Sequence, residues 1–237
     1  PESSKTQMAE LVENLRAALG ERIDGLDWMG EETKVNAKAK LAAFNPKIGY
    51  PDEWISYEGL EITDQDLLTN ERNISKFFHA KQVEDELEPT NRERWGMTPQ
   101  RVNAYYNSSF NEIVFPAAIL QPPFFDPNAD PAVNYGAIGA VIGHEMGHGF
   151  DDQGSKSDAK GIQQNWWTDE DRAAFEAKAD MLAAQYSAYE PIEGNFVNGR
   201  NSLGENIGDV GGLSMAYHAY KLSLNGKEAP VIDGLTG

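Results

Sequence analysis

The chain has 237 residues, no cysteine, and 38 acidic against 20 basic residues, which gives a formal net charge of −18. Disulfides and thiolate metal ligands are therefore excluded. Nucleic acids and anionic membranes are poor partners, because their phosphates would be repelled. No run of apolar residues approaches the roughly 20 needed to span a bilayer. With 40% hydrophobic residues, the chain can build a sizeable core.

Apolar residues at helical spacing predict most of the first half. An amphipathic helix is predicted over residues 4–19, ending at Gly20. A second helix is predicted over 28–44, with acids early and lysines late to suit the helix dipole, and Pro46 then breaks the chain. A third, polar helix is predicted over 64–88. Its expected buried side consists of Leu67, Leu68, Ile74, Phe77 and Phe78.

The character of the sequence changes near residue 100. Two β-prone runs, Val102–Tyr106 and Glu112–Phe115, flank a polar turn and predict a β-hairpin. Residues 121–131 contain four prolines and predict an ordered loop. Three helices complete the chain: a small-residue apolar helix over 134–150 that looks buried almost all round, one opening at Thr168, and one from about Leu203 to Leu224. The predicted fold is mainly α with a small β-sheet, an α+β class.

Residues 143–150 read GHEMGHGF. Histidines four apart share one face of a helix, so His144 and His148 can reach one ion. Glu145 lies about 100° round the helix, where it can bond a metal-bound water without binding the metal. Zinc in such a site lowers the pKa of the water toward about 7, and the carboxylate passes the water's proton to the leaving amine. The alternative is a chance match, which would leave these polar groups buried without partners.

A catalytic zinc of this type needs a third protein ligand, and Glu205 is the candidate. The same residue fits a second interpretation, because Ser202-x-x-Glu205 is also a capping box. Asp209 falls on the same helix face and is well placed to accept the second N–H of a metal-bound histidine, which a capping box does not explain. Asp151 is a second candidate for that role, and its alternative is an acid at a helix end entering a polar loop.

Several long motifs occur together and in order: HEMGHGFDDQG, NWW at 165–167, NGRNSLGENIGDVGG, VNAYYN, WMGEETKVNAKAKL and IGYPDEW. Together they resemble the neprilysin family of zinc metallopeptidases, family M13, over nearly the whole chain. The resemblance implies a zincin- or gluzincin-like catalytic domain. It also implies one Zn²⁺ per chain and hydrolysis of oligopeptides by a zinc-activated water, on the N-terminal side of hydrophobic residues.

The resemblance also implies roles for individual residues. The metal ligands would be His144, His148 and Glu205, and the catalytic groups would be Glu145 and Asp209. Asp209 and Asp151 would be the carboxylates that bond the far side of the histidine rings. The substrate-binding strand would contain Asn103, Ala104 and Tyr105. An extended peptide can add to a strand edge by main-chain hydrogen bonds while the Asn103 side chain grips its backbone. The alternative for Asn103 is an ordinary turn or strand-end asparagine. His79 and His218 are expected to be ordinary helix-surface or core residues.

The chain differs from the family in extent, and we expect it to be a piece of a longer protein. Residues 1–95 would contribute to the wall of the substrate cavity, and residues 96–237 would form the zinc peptidase core, truncated at its C-terminal end. Family members continue with a segment that holds an oxyanion-stabilising histidine and a substrate-binding arginine. Losing one oxyanion donor typically costs about 10²–10³ in turnover. The alternative is therefore a zinc-binding, peptide-binding fragment with weak catalysis.

The lack of cysteine differs from the disulfide-bonded animal members and points to a bacterial relative. The resemblance implies a periplasmic, secreted or membrane-anchored extracytoplasmic location, although the sequence shows no targeting segment. The expected partners are oligopeptide substrates and the remaining parts of a full-length protein.

Overall fold

The computed structural model describes residues 2–235. These residues form two compact units: 2–50 together with 98–235, and 51–97. The second unit ends at residue 97, near the expected boundary at residue 95, while residues 2–50 belong to the same unit as residues 98–235. Whether residues 1–95 line a substrate cavity stays a prediction. In the part of the chain that the structure describes, no helix is both long and apolar enough to cross a bilayer.

The first unit begins with α1 (Glu2–Asp24) and α2 (Glu31–Ala42). Helix α1 runs past Gly20, where it was predicted to end, because Ile23 on its last turn is packed into the core. A helical glycine costs only about 0.5–1 kcal/mol, which the burial of an isoleucine offsets. Arg16 of α1 donates from Nη1 to the carbonyl oxygen of Leu41 at 2.6 Å, which satisfies an end carbonyl of α2.

The predicted hairpin is confirmed by β2 (Tyr105–Asn107) and β3 (Glu112–Pro116), which pair antiparallel. A third strand, β1 (Asn45–Gly49), pairs parallel with β3 and gives the order β1-β3-β2. The strand forms although Pro46 predicts a break in the chain at this point. Proline is tolerated here because β1 is an edge strand, where one row of N–H groups needs no partner strand. The central strand β3 is buried along its whole length.

The remaining helices of this unit are α4 (Pro131–Asn134), a π-helical turn (Tyr135–Gly139), α5 (Ala140–His148), α6 (Asp169–Ser187) and α7 (Leu203–Ser223). The Thr168 side chain accepts the backbone N–H of Asp171 at 3.2 Å and caps α6, as predicted. Helix α5 is not buried all round. It buries Ile142 and Met146 completely, whereas the side chains of His144 and His148 stay 18% and 19% exposed, so the helix has one side that is not covered by the core.

The second unit contains α3 (Leu67–Leu87), which begins after Asp66. The predicted buried side of this helix is wrong: none of its residues is buried, and Leu67 is 73% exposed. The unit has no second helix against which a hydrophobic face could pack. Its aromatic residues instead make a small local cluster, in which the rings of Phe77 and Phe78 each lie 6.2 Å from Tyr57.

Candidate metal centre

Helices α5 and α7 cross backbone to backbone through four glycines. A Cβ on Gly143 would lie 2.6 Å from the carbonyl oxygen of Gly212, and a Cβ on Gly147 would lie 3.2 Å from Cα of Gly208. A Cβ on Gly208 would also lie 2.8 Å from Nδ1 of His144. Any side chain at this crossing would push the helices apart. The glycines therefore set how close groups on α7 come to the histidines on α5.

The crossing brings together the three predicted metal ligands. Glu205 Oε2 lies 3.3 Å from Nε2 of His144 and 3.8 Å from Nε2 of His148. One ligand atom from each residue lies within 4.8 Å of the others. Two imidazole nitrogens and one carboxylate oxygen form a ligand set used for catalytic zinc. Tetrahedral zinc, with bonds of about 2.1 Å, separates its ligands by roughly 3.4 Å. The three residues therefore fit one zinc ion.

Each histidine is oriented by a carboxylate on its other nitrogen. Nδ1 of His144 lies 2.8 Å from Asp209 Oδ1, and Nδ1 of His148 lies 2.8 Å from Asp151 Oδ2. A carboxylate can only accept, so the proton sits on Nδ1 and the Nε2 lone pair is left for a metal. Hydrogen bonding to Asp151 raises the pKa of His148. The Asp209 side chain is 72% exposed, whereas that of Asp151 is 6% exposed.

The capping-box interpretation of Glu205 is wrong. The Ser202 side chain makes no cap to helix α7, and the Ser202 backbone N–H donates to the carbonyl of Asn198 at 3.1 Å. The Ser202 hydroxyl instead accepts the Asn206 amide at 3.0 Å. The Glu205 carboxylate is therefore not used to start the helix, and it reaches the histidines.

Glu145 is buried beside the ligands. One carboxylate oxygen, Oε2, has no hydrogen-bond partner, while the backbone N–H of Tyr106 donates to the carboxylate. Burial raises the pKa of Glu145 to about 7, against the opposing charges of the two histidines. A bound dication would draw that pKa down again. The unpartnered oxygen leaves room for a proton-bearing group, which is what a general base requires.

The three predicted substrate-binding residues lie at the start of β2. Ala104 is buried and Asn103 is exposed; both come just before the strand, and Tyr105 is its first residue. Strand β2 is an edge of the sheet and contacts α5. The bond from Tyr106 to Glu145 places this edge beside the ligands. A substrate role for the three residues stays a prediction, and so does the strand-end alternative for Asn103.

Sequence reasoning missed the residues that hold the loop after the histidines. Trp166 donates from its indole to the carbonyl of Ser157 at 2.9 Å, and Trp167 donates to that of Ser155 at 3.1 Å. The NWW motif was a usable signal for them. Lys40, which also bonds this loop, gave no such signal. His218 pairs with Glu21 at 3.0 Å, in keeping with the ordinary role expected for it.

Two histidines and a glutamate that converge, with a buried carboxylate beside them, have the form of a zinc peptidase centre. Comparisons with known proteins agree. The pattern of Peptidase family M13 matches residues 103–237, and a second pattern of the same family matches residues 1–51. The chain belongs to Peptidase family M13. The resemblance seen in the motifs is thereby confirmed, and so is the mainly helical fold with a small sheet.

Curated relatives include endothelin-converting enzyme 1 of Homo sapiens, 41% identical over 96% of this chain, and an endothelin-converting enzyme homolog of Locusta migratoria, 40% identical over 92%. The chain covers 30% and 31% of their lengths. Mycobacterium tuberculosis zinc metalloprotease Zmp1, solved with an inhibitor, superposes with a TM-score of 0.95 at 53% identity, over 98% of this chain and 36% of that one. PepO from Lactobacillus rhamnosis gives 0.88 at 34%, with the same coverages.

Proposed function

We propose that this chain carries the metal centre of a zinc-dependent endopeptidase that hydrolyses oligopeptides. One observation carries the proposal: two Nε2 atoms and one carboxylate oxygen converge, and the buried Glu145 carboxylate beside them has an oxygen without a partner. A merely structural zinc site would have four protein ligands. Three ligands and an adjacent base describe a site that leaves one position for water or substrate.

The residues divide the chemistry between them. His144, His148 and Glu205 would hold the zinc, which when bound supplies a Lewis acid that acidifies water and polarises a carbonyl. Oε2 of Glu145 would accept the proton of the attacking water and deliver it to the leaving amine nitrogen.

The surrounding groups would orient the reactants. Asp209 and Asp151 keep the histidine rings in one tautomer and orientation. Asn103, Ala104 and Tyr105 would offer an edge on which an extended peptide can lie. The Tyr106 N–H bonds Glu145 to that same strand. Strand β2 would therefore position both the general base and the bound peptide.

The named relatives support peptides as the substrate class, since one is a zinc metalloprotease and two are endothelin-converting enzymes. Cleavage on the N-terminal side of hydrophobic residues, one zinc per chain and an extracytoplasmic location are part of the proposal. They rest on the resemblance rather than on the geometry. The chain spans about a third of its relatives' length, so the activity of the whole protein is proposed here from its metal centre.

The test is cleavage of a quenched-fluorescence peptide library, with zinc content measured in parallel. Glu145→Gln should keep the zinc and abolish hydrolysis, because the amide cannot accept the proton. Glu176→Gln, a carboxylate on α6 outside the ligand set, is the matched control and should change neither. Chelator-sensitive cleavage by the wild-type chain supports the proposal. One bound zinc without cleavage selects the weak-fragment alternative, and no bound zinc refutes both.

A further inference from the structure

Lys40 is a buried lysine on α2 that reaches the loop following His148. The residue is 1% exposed, and its Nζ donates to the carbonyl oxygens of Gly154 at 2.7 Å and Ser157 at 2.6 Å. The partners lie 114 and 117 residues away in sequence. An ammonium group has three donors, and two are spent on this one loop. The lysine is thus a tie between α2 and the loop rather than part of an ion pair at the surface.

Aromatic rings enclose the rest of the ammonium group. Its Nζ lies 5.8 Å from the ring centroid of Tyr106, 5.7 Å from that of Phe150 and 5.8 Å from that of Trp166. Ring faces attract cations at these distances. Burial lowers the pKa of Lys40 to about 8, and the charges of Asp151 and Asp158 oppose that fall. The group is therefore mainly a cation at neutral pH.

Lys40 and Asp151 bond the two polar backbone groups of the same residue, Gly154. The N–H of Gly154 donates to Asp151 Oδ1 at 2.7 Å, while the carbonyl of Gly154 accepts from Lys40. Gly154 is itself pressed against the chain at His148, since a Cβ there would overlap the His148 carbonyl oxygen. The other oxygen of Asp151 bonds Nδ1 of His148. A continuous path of contacts therefore runs from Lys40 through Gly154 and Asp151 to the ring of His148.

The negative charge of buried Asp151 gives a second reason for placing the Lys40 ammonium group nearby. Asp151 is 5% exposed, and a buried carboxylate is costly unless it is compensated. The corresponding carboxylate on the other histidine, Asp209, is mostly exposed and needs no such partner. Among the described residues, the buried Asp151 has the buried cation of Lys40 nearby, and the pair of His144 with the exposed Asp209 serves as an internal control.

We propose that Lys40 is a positioning residue of the metal centre, which holds the 151–157 loop and balances the charge of Asp151, so that His148 keeps its ring orientation. The link to zinc rests on the proposed function. The link between Lys40 and the His148–Asp151 bond stands without it, because that bond involves no metal.

The test compares Lys40→Met with Lys47→Met. Methionine keeps the bulk of the side chain and removes its charge and donors. Lys47 is the matched control: it is also buried, it lies on β1, and it pairs with buried Glu112 at 2.7 Å. Both variants lose a buried cation, so a general loss of stability affects both. Only Lys40→Met should disturb the metal centre.

The first readout needs no metal. NMR spectra of ¹⁵N-histidine-labelled protein can resolve the signals of the chain's four histidines. For each ring whose Nδ1–H is hydrogen-bonded, we would measure the chemical shift of that proton and its rate of exchange with water. Lys40→Met should shift or broaden the His148 signal and speed its exchange at least tenfold, while His144 stays unchanged. Lys47→Met should change neither signal. Unchanged His148 exchange in a folded Lys40→Met would overturn the proposal.

The second readout is zinc affinity by competition with a chromophoric chelator. Groups behind metal ligands typically change affinity 10- to 100-fold, and Lys40 acts through one of them, so we expect about a tenfold loss. If Lys40→Met does not fold, Lys40→Gln keeps an N–H donor without the charge and allows the same comparisons. A wild-type chain that binds no zinc would refute the proposed function, while the His148 signal would still decide the role of Lys40.

Discussion

Gly212→Ala tests the crossing of α5 and α7 most sharply, because only backbone surrounds the added methyl group. A Cβ at this position would lie 2.5 Å from the backbone nitrogen of His144 and 2.6 Å from the carbonyl oxygen of Ala140, and ordinary contact begins at 3.4 Å. The helices would have to separate by about 0.8–0.9 Å (3.4 − 2.6 and 3.4 − 2.5). Zinc sites hold their ligand distances within about 0.2 Å. Glu205 would therefore be carried away from an ion shared with the histidines.

The neighbouring Gly211→Ala is the matched control, because its Cβ would meet only the flexible end of Met215, at 3.9 Å. Both substitutions gain about 1 kcal/mol of helix propensity. Gly212→Ala also overpacks against backbone, which costs about 3 kcal/mol, the upper end of the usual range. Calorimetry should show its Tm lower by roughly 4–8 °C and that of Gly211→Ala higher by roughly 2–4 °C.

Zinc affinity completes the assay of the crossing. By chelator competition, Gly212→Ala should bind zinc at least tenfold more weakly than wild type, and Gly211→Ala should bind it equally well. Equal Tm values and equal zinc affinities for the two variants would refute the backbone-to-backbone contact and its role in placing Glu205.

Three further predictions address single groups. Glu205→Ala should reduce zinc to a small fraction of one per chain by elemental analysis; full occupancy would mean that the third ligand lies elsewhere. Burial raises the pKa of Glu145 from 4.5 to about 7, so the folded metal-free chain holds an extra proton between these pH values and its stability falls as pH rises through them. In urea titrations, Glu145→Gln should therefore stabilise the metal-free chain by on the order of 3 kcal/mol at pH 8 and not at pH 4; equal effects at both pH values would contradict this. Thr168→Ala should cost about 1 kcal/mol of unfolding free energy through the lost cap of α6, and Thr168→Ser should keep most of it.

Local spacing explains what could be predicted. His144 and His148 share a helix face wherever that helix lies, and Glu205 and Asp209 do the same on theirs. The hairpin and the Thr168 cap also depend on near neighbours. The capping box was a local pattern too, but it failed because the Ser202 hydroxyl found partners in Asn198 and Asn206. A pattern that offers one partner does not exclude others.

Contacts distant in sequence explain what could not be predicted. Strand β1 forms despite Pro46 because β3 lies beside it, and that neighbour is 67 residues further along the chain (113 − 46). The tie from Lys40 spans more than a hundred residues. The glycines of the helix crossing are spaced four residues apart in both helices, as Gly143-x-x-x-Gly147 and Gly208-x-x-x-Gly212. That spacing became meaningful only when the two helices were seen to pack together.

The glycine crossing has a consequence for the order of events in maturation. Small zinc domains fold only when the ion gathers their ligands. Here the backbones of α5 and α7 pack directly, and the histidine rings are held by Asp209 and Asp151, so contacts within the protein help to place the ligands. If the proposed zinc site is right, we expect folding to precede metal loading, so that a chelator removes the ion while the chain keeps its fold.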